Sequence, residues 1–208
     1  MVLALAVVGC SDDGDASAKI NGPINVPAGK PPGAFATVNG SIHVADNAEV
    51  TSAGTVNGEV HLGEHARAES LNSVNGAIDL GKDSQVSGAV ASVNGELTLA
   101  QGADVKGSLT NVNGAITLTG AHVGGGIRTM NGSIDITGAS RVEGGIRVQR
   151  PTGTIGSSEP RIIIGPGATV SGDLLFERPV KVFVSDKATI GTVTGASAVT
   201  FTGDSPPD

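Results

Sequence analysis

Trp and Tyr are absent from this 208-residue chain, and only four Phe are present. A globular core normally draws on large aromatic rings, so a chain lacking them must bury many small aliphatic residues in regular layers. Cysteine occurs once, at Cys10, so no disulfide can form within the chain. Charge is sparse, at 16% of residues, and the net charge is −7. With a pI near 5.0 and no interleaving of basic with aromatic residues, nucleic acid is excluded as a partner. Catalytic signatures are missing too. There is no Ser–His–Asp order, phosphate loop or calcium nonapeptide. Gly124-Gly125-Gly126 does not open a helix after a strand, so it reads as a corner. The chain is therefore expected to be no enzyme and to need no cofactor.

What the chain has in abundance is a repeat. Seven copies of one phrase run through it: Ile20-Asn21-Gly22, Val38-Asn39-Gly40, Val56-Asn57-Gly58, Val74-Asn75-Gly76, Val93-Asn94-Gly95, Val112-Asn113-Gly114 and Met130-Asn131-Gly132. The asparagines lie 18 or 19 residues apart. Each copy is followed by an apolar–any–apolar step such as Ile42-His43-Val44. A period this short, built on alternation and 32 glycines, predicts a β-solenoid. The apolar share is too high and too periodic for disorder.

One repeat, residues 38–55, supplies the coil. Val38, Gly40, Ile42 and Val44 are read as one apolar face. Ala48-Glu49-Val50 makes a second inward step, and Gly107-Ser108-Leu109 or Gly125-Gly126-Ile127 shows a third in later coils. Three short strands and three corners describe a triangular prism, each strand pairing in parallel with its copy above and below. About nine coils at ~4.8 Å each give a rod on the order of 40 Å long. The expected fold is all-β, a single-stranded right-handed parallel β-helix, right-handed crossover being the general rule. Left-handed hexapeptide folds are the rival. Val38, Val44, Val50 and Val56 keep a six-residue step and Leu62-Gly63-Glu64-His65-Ala66 resembles one hexapeptide, but 19-residue coils break it.

Asn-Gly tolerates the positive φ of a sharp corner. Stacked asparagines can also bond amide to amide, so Asn21, Asn39, Asn57, Asn75, Asn94, Asn113 and Asn131 are expected to form a structural ladder. All four phenylalanines lie toward the ends: Phe35 near one, Phe176, Phe183 and Phe201 near the other. They read as caps over an otherwise exposed cross-section, helped by Pro23, Pro27, Pro31 and Pro32, which remove backbone donors.

The segment Leu5-Ala6-Val7-Val8-Gly9-Cys10-Ser11 resembles a bacterial lipobox. The resemblance implies a lipidated Cys10, and Ser11 after it leans toward outer-membrane sorting. The apolar run before it is too short to span a bilayer and resembles the end of a signal-peptide h-region. No Lys or Arg precedes it, which a start codon placed too far downstream would explain. Asp12, Asp13 and Asp15 follow, as in a solvated tether. Residues 1–125 carry 5 basic and 12 acidic side chains and residues 126–208 carry 8 of each, so the membrane-proximal half is the negative one.

The organisation expected is a signal-peptide remnant (1–9), lipidated cysteine and acidic tether (10–19), N-terminal capping coil (20–35), regular repeat (36–148), irregular loop (149–161), C-terminal coils and cap (162–203) and tail (204–208). The loop holds Arg150, Arg161 and two prolines and is a candidate binding site or an irregular coil.

Ile162-Ile163-Ile164-Gly165-Pro166-Gly167-Ala168-Thr169-Val170-Ser171-Gly172-Asp173-Leu174 resembles the coil phrase of bactofilins, polymer-forming bacterial cytoskeletal proteins. Similar phrases recur at Leu99–Leu109 and Val184–Ile190. The resemblance spans roughly residues 36–203 and implies a right-handed triangular β-helix that self-associates end to end. Bactofilins lack a signal peptide, whereas this chain looks exported, and its Val-Asn-Gly corner is similar to that of adhesin-head solenoids.

One outward column is expected to run Asn25, His43, His61, Asp79, Thr98, Thr117, Asp135, with Ser41, Glu59, Ala77 and Glu96 beside it. His43, His61, Glu59 and Asp79 would then lie on neighbouring rungs as zinc or copper candidates, but with neither HxxxH spacing nor a second shell evident they read as a solvated polar face, and no metal is expected. His65 and His122 stand elsewhere, and a lone His65 is poor support for an acyltransferase. Two functions follow. One is a non-enzymatic, lipid-anchored structural solenoid of the bacterial cell envelope, membrane-bound through its lipid and self-associating or scaffolding, with its envelope partner unnamed. The other is an adhesin-like module for a surface glycan, protein or metal.

Overall fold

The computed structural model describes residues 16–151 and 159–207. Among them every regular element is a β-strand, 26 in all, and no helix occurs. The chain is a parallel β-solenoid of about ten turns, with successive coils about 18 residues apart. Three strand columns run along it. The first stacks ten strands from Ile24–Val26 through Ile42–Val44, Val60–Leu62 and Ile78–Leu80 to Lys181–Ser185 and Ala198–Phe201. Pairing is in register, so Ile42, Val60 and Ile78 face one another and Val44 meets Leu62 and Leu80. Three residues suffice because burial alternates, with Ile42 and Val44 inside and His43 out.

The second column includes Gln85–Val86, Asp104–Val105, His122–Val123 and Arg141–Val142; the third includes Val90–Asn94, Leu109–Thr110 and Ile127–Thr129. In the early coils Glu49–Asn57 and Arg67–Asn75 run unbroken through the corner between these two columns, joining them into one 16-stranded sheet. The break in later coils has a local cause. Ala68 pairs with Val86, 18 residues on, but Leu71 pairs with Val90, 19 on. The extra residue falls at Ser87-Gly88-Ala89 and ends the continuous strand there.

The core is a set of aliphatic stacks, one layer per coil: Leu62, Leu71, Ile78, Leu97, Leu109, Ile116 and Ile127 are all fully buried. Each such side chain contributes about 1.5–3 kcal/mol by leaving water, and repetition replaces the aromatic bulk the chain lacks.

Several expectations change. The solenoid starts earlier than a tether to residue 19 allows: Ala16–Asn21 is already a strand, paired with Ala34–Asn39. The coil number, about ten, agrees with the expected count of about nine. Val38 does not point inward; it is half-buried at the end of Ala34–Asn39, and Thr37 is the buried neighbour. The strand that carries it ends at the corner, and a new strand starts at Ile42.

Candidate functional site

The Asn-Gly corner holds two ladders and one stack of backbone. Asn39 Nδ2 donates to Asn21 Oδ1 at 3.0 Å, and Asn57, Asn75, Asn94, Asn113 and Asn131 each donate to the asparagine one coil earlier at 2.7–2.9 Å. The amides are exposed, so water competes and each bond is worth about 0.5 kcal/mol or so. Because every rung donates backward, the last acceptor, Asn131 Oδ1, would lack a rung above it. Arg178 fills that place, its Nη1 donating to Asn131 Oδ1 at 2.5 Å and to the Met130 carbonyl at 3.0 Å. Nothing in the repeat pattern pointed to Arg178, which lies 47 residues further on.

A second ladder runs beneath the first. From the second copy of the motif onward, the residue two before the asparagine is buried and is a short hydrogen-bonding one: Thr37, Thr55, Ser73, Ser92, Asn111 and Thr129. Thr55 Oγ1 donates to the Gly40 carbonyl at 2.9 Å and Asn111 Nδ2 to the Gly95 carbonyl at 2.8 Å, each one coil back. Thr37, Ser73 and Ser92 make longer versions of the same bond, at 3.4 Å. The repeat is thus better written Thr/Ser/Asn-x-Asn-Gly, a signal present in the sequence but overlooked beside the asparagine.

The glycines are required for a reason other than the expected one. Of the seven, only Gly22, Gly58 and Gly114 have positive φ, and no asparagine of the motif does. Instead, a Cβ on Gly40, Gly58, Gly76, Gly95, Gly114 or Gly132 would overlap the carbonyl oxygen of the glycine one coil below. Non-glycine residues adopt positive φ at a different corner, as at Asn47, His65 and Asp83 (59°, 54° and 55°).

The structure brings together most of the histidine face. His43, His61 and Asp79 are in-register neighbours on adjacent strands. Glu59, His61 and Asp79 each present one donor atom within 4.8 Å of the others, all three half-buried. The His43 and His61 ring centroids are 6.2 Å apart, tilted by 50°. His65 and His122 lie elsewhere.

His122 belongs to a charge ladder on the second column. Its Nδ1 is 2.6 Å from Asp104 Oδ1 and its Nε2 is 3.3 Å from Glu143 Oε1, while Lys106 Nζ lies 2.6 Å from Asp104 Oδ2. Burial acts to raise the Asp104 carboxyl, but hydrogen bonds from Lys106 and His122, and their charge, outweigh it and hold it below its ordinary 3.8. Its ionised form therefore favours the folded state, a contribution lost as pH falls through the folded value. A groove of about 240 Å³ runs beside it, lined by residues that include Glu49, Arg67 and Gln85.

The four phenylalanines divide between buried and outward positions. Phe35, Phe176 and Phe201 are buried. Phe35 sits between Ser17 and Ala53, one coil in from the end. Phe183 is no interior plug. It continues the outward column, next to Ile163 and Val199, with the Arg161 guanidinium 4.8 Å above its ring. Arg161 also donates from Nη2 to the Pro207 carbonyl at 3.0 Å, tying the tail to the rod. At the other side of the 149–161 insertion, Arg147 and Arg150 both bond Glu177. Residues 152–158 lie outside the described residues, as do Cys10 and the acidic segment to Asp15.

Asp135 is the one poorly matched rung. Its Oδ1 is buried with no hydrogen-bond partner, and burial raises its carboxyl above 3.8 although Arg161 opposes the shift. Its ionised form thus works against folding above the folded-state value, and that penalty disappears as pH falls below the unfolded one. Asp135→Thr, copying Thr98 and Thr117 in the same column, is expected to stabilise by about 0.5 kcal/mol at pH 7 after solvent screening. Thermal melts at pH 7 and pH 3 check this: the gain should shrink at the lower pH.

Among the described residues no helix is long and apolar enough to cross a membrane. The fold makes the chain a β-solenoid repeat protein. A scan of protein-family models, and searches of characterised proteins and of solved structures, return no match to it.

Proposed function

We propose that this chain is a non-enzymatic structural rod of the bacterial cell envelope, held at a membrane by lipid on Cys10 and associating end to end. The observation that carries the reading is the far end of the stack. Thr189–Ile190, Val193–Thr194 and Ala198–Phe201 are the outermost strands of their columns. Ile190, Val193 and Ala196 pack on the core but are only partly covered. Open parallel edges around a partly bare apolar layer are what a further coil, or another copy, pairs with. The lipobox-like segment at Cys10 supports anchoring, since a lipid holds a folded domain without a spanning helix. The bactofilin-like coil phrase at Ile162–Leu174 supports polymer formation.

The test is negative-stain electron microscopy with light scattering over a concentration series, on the full chain carrying Cys10→Ser so that no lipid intervenes. Ordered filaments are expected, lost with Val193→Lys, which puts a charge on the half-covered end layer. Phe201 is a poorer probe because it is buried, and a charge there would also loosen the last strand. A monodisperse monomer at high concentration would reject end-to-end assembly.

A further inference from the structure

We propose that Glu59, His61 and Asp79, with His43 one strand away, form a binding site for a divalent transition-metal ion of the zinc class. The inference goes beyond the structural role and does not depend on anchoring or assembly.

The backbone sets the site. Glu59 and His61 are two residues apart on one outward face, and His61 pairs in register with Asp79 on one side and His43 on the other. His43, His61 and Asp79 therefore project from adjacent strands of a parallel sheet, with Glu59 just before the strand that carries His61, so side chains from neighbouring rungs are held near one another. Donor atoms of Glu59, His61 and Asp79 already lie within 4.8 Å of one another. Ligands of a tetrahedral zinc at about 2.0–2.2 Å sit about 3.4 Å apart, so closure needs movements of roughly 1 Å, within reach of small χ rotations. The His43 ring, exposed and 6.2 Å from that of His61, is placed to add a fourth ligand.

A second observation separates this cluster from an ordinary polar face. None of the four side chains makes a hydrogen bond or ion pair to another described residue, whereas His65 faces Asp83 at 4.0 Å and His122 is held by Asp104 and Glu143. The next two rungs of the same column, Thr98 and Thr117, are small and uncharged. Here two carboxylates stand side by side without a Lys or Arg between them, and two imidazoles offer ring nitrogens. Two nitrogen and two oxygen donors suit zinc, nickel or copper better than magnesium or calcium, which prefer all-oxygen shells.

The experiment uses the full chain with Cys10→Ser in every sample, so that the thiol does not compete. Calorimetric titration with ZnCl2 is expected to give one equivalent per chain. His61→Thr and Asp79→Thr, which copy residues the column already holds, should weaken binding about ten-fold or more, and His43→Thr should weaken it less. His65→Asn, which copies Asn47 at the equivalent corner, should bind as the parent does. A readout independent of variant folding is broadening of imidazole proton resonances by Ni2+: His61 and His43 should broaden before His65 and His122. No saturable binding, unchanged affinity in His61→Thr and Asp79→Thr chains that melt like the parent, or earlier broadening of His65 or His122 would each overturn the proposal.

Discussion

Gly76→Ala is expected to lower stability by about 3 kcal/mol or more. The new Cβ would overlap the Gly58 carbonyl oxygen, with the Gly58 carbonyl carbon and the Glu59 nitrogen close behind. All three are backbone, so no side chain can swing away. Relief requires the two coils to separate, and separation breaks the contacts between them: the Gly58 N–H to Asn75 carbonyl bond at 3.1 Å and the Asn57–Asn75 rung. The corner is also mid-rod, so a break there divides the stack into two shorter ones with new bare ends. Gly22→Ala is the control. Nothing lies within 4 Å of a Cβ there, and the only penalty is a φ of +95°, about 1 kcal/mol or so. Denaturant melts of the two variants against the parent measure the contrast. Equal losses at the two positions would show that backbone conformation, not close stacking, makes the glycine necessary.

That contrast also marks what could be read from residues alone. Period, strand alternation and the stacked asparagines were legible because each is a local pattern repeated many times: Ile42-His43-Val44 and Ile78-Asp79-Leu80 state the same thing. The outward column from Asn25 to Asp135 followed from register alone, which is why Glu59, His61 and Asp79 were found next to one another. Reading Val38 as inward failed because the alternation was carried through the corner, where the chain turns and the count restarts. The reason for glycine was misassigned because φ belongs to one residue, whereas the actual constraint is the distance between two coils, which only the stack defines. Arg178 was illegible for a related cause. It closes the asparagine ladder from an unrepeated segment, and a single contact 47 residues distant leaves no periodic trace.

Phe176→Ala is expected to cost about 3 kcal/mol, but to act on only part of the molecule. Phe176 is 3% exposed. It stands in the inward column that begins with Thr37, Thr55 and Ser73 and turns apolar at Val148, which pairs directly with it. Truncation leaves a cavity that small neighbours cannot fill: Val148 lies on one side, and on the other the column reaches its last strand, Val193–Thr194, with no second ring to collapse inward. In a stack where each coil touches only its neighbours, the loss is felt by the coils between the cavity and the nearer end. Residues 162–203 should therefore lose hydrogen-exchange protection while the coils from Ala34 to Thr129 keep theirs, and the denaturant transition should broaden or split. Gly76→Ala should instead reduce protection on both sides of its corner. The same fraying would bare the strands proposed to pair with another copy, so Phe176→Ala should also shorten or abolish filaments of the Cys10→Ser chain. A uniform loss of protection along the whole rod would show that its ten coils fold as one cooperative unit, and the nearest-neighbour account of its stability would then be wrong.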